Sequence, residues 1–204
     1  MTVQEPATLI TDYALSGLAA YCCAGLFRGA GKGNPRRLWA WGFGALSLGA
    51  LLGGTSHGFA ALLSAPALES LWRGTLAASH LANFFLAAAA RGPLEGKPLE
   101  TFRVGLGAKL LAFAAWSAAT QSFAAVIADS ALTILLIAAL EILRLKKNPG
   151  DRPAKLLLAG AALSAAAALA QALRISPAPS FNHNDLYHLV QAAGLVFLYR
   201  GARG

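Results

Sequence analysis

The chain has 204 residues, 56% hydrophobic and 13% charged, with a mean hydropathy of +0.54; a soluble domain carries roughly 45–50% apolar and about 25% charged residues, so an ordinary soluble fold is excluded. The formal charge of +8 and pI near 10.0 do not mark a nucleic-acid binder, because the basic residues sit in short connections between apolar runs rather than along one polar helix face. Cys22 and Cys23 are adjacent within an apolar run, too strained for an ordinary disulfide and without a second pair for a metal site, and they read as packing residues.

Seven apolar runs follow in chain order: Leu9–Phe27, Leu38–Leu63, Leu71–Ala90, Val104–Ala119, Phe123–Leu143, Leu156–Leu173 and Asp185–Tyr199. Spanning a hydrocarbon core of about 30 Å takes roughly 20 helical residues. The runs lack the alternation of barrel strands, and backbone polar groups in lipid must be satisfied within the segment, so each is predicted to be a transmembrane helix. The first run has Glu5 and Asp12 before or at its start and no preceding basic region, so it reads as a retained helix rather than a signal peptide. On the second, Gly49, Gly53, Gly54 and Gly58 form two small-xxx-small pairs suited to close helix packing, and Thr55-Ser56-His57 lies near its end. The third carries His80 near its middle, and the fourth carries Lys109, whose stem is expected to snorkel to the inner interface. The fifth holds Asp129 about two turns in, where a carboxylate has no capping role and needs a partner; Glu141 and Arg144 at its far end are spaced i, i+3 for an ion pair. The sixth is alanine-rich, with Arg174 marking its end. The seventh opens with Phe181-Asn182-His183-Asn184-Asp185-Leu186-Tyr187-His188 after the Pro177 and Pro179 turn, where Asn182, Asn184 and Asp185 suit a helix cap.

Orientation follows from the basic residues. Arg28, Lys32, Arg36 and Arg37, then Arg91, Lys97 and Arg103, then Arg144, Lys146, Lys147, Arg152 and Lys155, and finally Arg200 and Arg203, all fall on one side of a seven-span chain. The positive-inside rule makes that side cytoplasmic and places the N-terminus outside and the C-terminus inside. Trp39 and Trp41 then fit an inner aromatic belt and Trp72 and Trp116 an outer one. No connection is long enough to act as a linker and no internal repeat is evident, so residues 1–204 read as one seven-helix bundle, an all-α integral membrane protein of a bacterial inner (plasma) membrane.

Counted from the outer surface, Asp12, Thr55-Ser56-His57, Asp129 and the polar start of the seventh helix share one layer, with His80 deeper. All four histidines lie in the outer half or at the midplane. Imidazoles and carboxylates gathered at one depth are the ingredients of a tetrahedral zinc site with an open water position. Asp185 and Asn184 stand i, i+3 and i, i+4 from His188, on its face of the helix. His183 is about 140° from His188 if the helix has already begun there.

A histidine after Thr55-Ser56 on the second run, together with Asn184-Asp185-Leu186-Tyr187-His188-Leu189-Val190 opening the seventh and the terminal Tyr199-Arg200-Gly201, resembles the CREST superfamily of seven-helix membrane proteins. That superfamily includes alkaline ceramidases, progestin and adipoQ receptors and hemolysin III-like proteins. Asn184 stands where the family's first helix-seven histidine is expected, and Gly53 where its helix-two serine is expected. The resemblance implies zinc and amide-hydrolase chemistry: zinc on His57 and His188 with His183 or His80, a bound water attacking the carbonyl of a lipid-like amide or ester, Asp129 or Asp185 as general base or histidine-orienting group, Asp12 in support, and Ser56 as oxyanion donor. Two other expectations stand beside it. One is a receptor-like or permease-like protein using the same polar layer for a ligand or for protons; the other is a scaffold whose polar residues only lock helices together. Membrane lipids are the expected surroundings.

Overall fold

The computed structural model describes residues 4–28, 30–31, 34–178 and 181–204; Lys32 of the first basic connection and Pro179 of the last turn lie outside the described residues. The described chain is all-helical: α1 Pro6–Phe27, α2 Arg36–Phe59, α3 Ala65–Ala89, α4 Gly96–Thr120, α5 Ala124–Lys147, α6 Arg152–Ala172 and α7 His183–Arg203, with a short 3-10 turn at Ala60–Leu62. Four stretches are long and apolar enough to cross a membrane: Pro6–Phe27, Arg36–Leu62, Ala124–Lys147 and Arg152–Ala172. The other three helices match the remaining predicted runs but carry more polar side chains, among them His80 and Asn83 on α3, Lys109 on α4, and Asn184, Asp185, His188 and Gln191 on α7.

Local chemistry sets the boundaries. Proline occupies the first turn of α1, α3 and α6, where its missing N–H costs nothing. Asp151 caps α6 by accepting from Ala154 N at 2.9 Å. At α7 the capping reading holds: Asn182 accepts from the Asn184 and Asp185 amides while Asp185 Oδ2 accepts from Asn182 N at 2.7 Å, a reciprocal capping box.

The helices alternate up and down. α1 packs between α2 and α7, α2 against α3, α3 against α5, and α6 between α5 and α7, while α4 is the most loosely held, touching only α3 and α5 substantially. The two small-residue pairs on α2 serve different neighbours. A Cβ on Gly54 would fall 2.7 Å from Asp12 Cβ, and one on Gly58 2.8 Å from a Leu9 methyl, so this pair admits α1. The Gly49 and Gly53 pair faces Ser79 and Thr75 of α3. At the α6–α7 crossing, a Cβ on Gly160 would meet Leu198 N at 2.9 Å and one on Gly201 would meet Leu157 N at 3.0 Å, so each helix backbone lies against the other.

Two belt assignments are corrected. Trp39 is buried in the main apolar cluster with Leu26, Phe43 and Leu198, and Trp72 is half-buried inside the bundle; only Trp41 and Trp116 are exposed as belt residues would be. Cys22 packs in that same cluster, and both cysteines are free thiols.

Candidate functional site

The buried polar residues form two clusters separated by a cavity. The first cluster joins α3, α4 and α5. Asp129 is fully buried; its Oδ1 accepts from Lys109 Nζ, and its Oδ2 accepts from His80 Nδ1 at 2.7 Å and Asn83 Nδ2 at 3.2 Å. Lys109 also donates to Thr133 Oγ1 at 3.0 Å. The Asp129 carboxylate beside an ammonium can only accept, so His80 Nδ1 carries the proton that it donates; Nε2 lies 2.7 Å from Ser117 Oγ, within hydrogen-bond distance. Every member has a partner, the condition under which charges at membrane depth are tolerated.

Asp129 thus has the partner its position demands. The snorkelling expectation for Lys109 is corrected: its side chain is 6% exposed and turns into the bundle, because Asp129 on the adjacent helix offers a full counter-charge. His80 stands apart from the outer-layer candidates, with both ring nitrogens engaged within its own cluster.

The second cluster joins α1, α2 and α7. Thr8 donates to Asp185 Oδ1 at 3.0 Å, so the fully buried Asp185 is spent on the α7 cap and on α1. His188 Nδ1 lies 3.0 Å from Thr11 Oγ1, and its Nε2 stands 3.1 Å from Asp12 Oδ1. Asp12 sits well inside α1 and is buried, so it is not a helix cap. His57 Nδ1 is 3.7 Å from Glu5 at the same end. Because α7 begins at His183, the turn angle places His183 on a different face from His188, and the pair does not converge. Ser56 is buried and donates to Leu52 O at 3.0 Å, which removes it as an oxyanion donor. Among the described residues no three His, Cys, Asp or Glu side chains stand together as a metal site.

Between the clusters lies a cavity of about 260 Å³. Asp12, His57 and His188 line it from α1, α2 and α7. Thr75, Ser79 and Asn83 line it from α3, Ser130 from α5, and Gln171 from α6. Asn83 connects the cavity wall to the buried charge cluster, donating to both Asp129 and Ser130. Gln171 Nε2 donates to Asn184 Oδ1 at 2.8 Å, while its buried Oε1 has no partner. Several lining residues carried a signal in the sequence that single-residue inspection missed. Thr75, Ser79 and Asn83 recur every fourth residue on α3, a polar stripe on one helix face, and on α7 Gln191 continues the face shared by Asn184 and His188.

These features define an all-α protein of membrane type with a largely apolar cavity between its helices that carries a few polar groups. The chain belongs to DUF6962, a family of unknown function, which it matches over residues 7–204. No curated protein and no solved structure matches it.

Proposed function

We propose that the chain is a seven-span membrane protein, N-terminus outside, whose cavity binds a small ligand from the outer side in the manner of a receptor or permease. The observation that carries this is the cavity itself: a space of about 260 Å³ at the end of the bundle away from the basic connections, with side chains of six helices turned toward it. Convergent polar groups around a largely apolar concavity are the usual form of a small-molecule site. A scaffold needs its polar groups paired with one another and leaves no space between them.

Native mass spectrometry of protein extracted in mild detergent tests this. A small molecule is expected to accompany the wild-type chain, and Ser79→Trp, which fills the cavity, should release it. A wild-type chain free of bound molecules, with Ser79→Trp more stable than wild type, would favour the scaffold.

The second reading is the metal-dependent hydrolase, favoured by the sharing of one cavity by His57, His188 and Asp12. The arrangement does not fit a zinc site: His188 directs one ring nitrogen at Thr11 and the other at Asp12, and His80 and His183 do not line the cavity. Elemental analysis separates the two readings, since the hydrolase requires stoichiometric metal and a melting temperature that falls on chelation.

A further inference from the structure

The groups that face the cavity differ in what they can recognise. Asp12 is the one carboxylate on its wall, and no lysine or arginine lines it among the described residues. His188 and Asp12 meet through one carboxylate oxygen, and no protein donor reaches Asp12 Oδ2 among the described residues.

Aromatic rings complete the lining. Trp72 and Phe123 stand together with centroids 5.9 Å apart, and His57 lies edge-on to Trp72 at 6.4 Å. Trp72 spends its only polar hydrogen on Gln121 O at 2.8 Å, so what it offers the cavity is its ring. Tyr187 adds a ring from α7. The α3–α5 cluster supplies no positive charge to the space, because Lys109 is held by Asp129 and Thr133 and does not line the cavity.

A carboxylate with a free oxygen and three aromatic side chains, with no fixed cation among them, is complementary to positive charge and hostile to anions. π faces attract ammonium groups, most strongly where water is excluded. We infer that the ligand is a small organic cation, an amine or quaternary ammonium compound, with its charged head held by Asp12, Trp72, Phe123 and Tyr187. This rests on the cavity being a ligand site and names the class that it takes.

Isothermal titration of the purified full chain in detergent tests the inference with three probes of nearly equal shape: choline, its neutral isostere 3,3-dimethylbutan-1-ol, and the anion 3,3-dimethylbutanoate. Choline is expected to bind saturably and at least about 10-fold more tightly than the isostere, with the anion weakest. Asp12→Asn should reduce the preference for choline over the isostere to about 3-fold or less. Phe123→Leu, which keeps an apolar side chain at the start of α5, should weaken choline several-fold more than the isostere, so the inference stays testable if Asp12→Asn does not fold. Binding of the isostere or the anion as tightly as choline would overturn the cation class and leave the cavity reading intact. Folded wild-type protein that binds none of the three would overturn the cation class, and one that in addition carries no molecule in native mass spectrometry would overturn the cavity reading.

Discussion

Replacing Asp129 with asparagine leaves the Lys109 ammonium, 6% exposed, facing only a hydroxyl and an amide. Removing one member of a buried ion pair costs about 3–5 kcal/mol, because the remaining charge is uncompensated. Lys109→Met is expected to cost a similar amount, about 3–5 kcal/mol, because it leaves the fully buried Asp129 carboxylate with the His80 and Asn83 donors but without the ammonium. The double variant removes both charges, so its cost should fall short of the sum of the singles by about 2 kcal/mol, a coupling typical of groups in direct contact. Reversible unfolding in mixed detergent micelles, followed by circular dichroism, supplies the three differences. A coupling within about 0.5 kcal/mol of zero, with Asp129→Asn close to wild type, would refute the pairing and return Lys109 to the membrane interface.

Other substitutions probe the remaining elements. Gly160→Ala should destabilise by about 1–3 kcal/mol in the same unfolding assay, because its Cβ would press on the Leu198 backbone, which cannot rotate away. Gly17→Ala serves as the opposite case: a Cβ there meets nothing within 4 Å, so higher helix propensity should leave stability unchanged or raise it by up to about 1 kcal/mol. Asp185→Ala removes the capping box and the Thr8 bond, and should cost about 1–2 kcal/mol while leaving choline affinity within about twofold, since Asp185 does not line the cavity.

Much of the fold was legible because depth in a membrane is written into hydropathy. Every predicted run became a helix, and the helices extend beyond the runs at Arg36, Lys147 and Arg203 because charged residues at helix ends keep the backbone helical after the apolar stretch stops. Rotation was harder to read than depth. A lone Lys109 in an apolar run gives no indication of which way it faces, and only the packing of α4 against α3 and α5 turns it toward Asp129. A shared outer half likewise suggested that the histidines meet, yet His80, the deeper one, belongs to a different set of helices, and the start of α7 at His183 rotates that ring away from His188. The helical spacing of Thr75, Ser79 and Asn83 did carry facing information, because residues four apart must share a face whatever surrounds them.

The existence of a ligand cavity open to the outside is tested most directly at Ser79, which lines it from the middle of α3. In a background with Cys22→Ala and Cys23→Ala, Ser79→Cys should react in intact cells with a small membrane-impermeant cationic methanethiosulfonate. The reaction should be slower than at Ser64→Cys, which is exposed in the connection before α3, and choline should slow it further. Labelling of Ser64→Cys alone, with Ser79→Cys unreactive or reactive only after the membrane is opened, would contradict a cavity reached from outside.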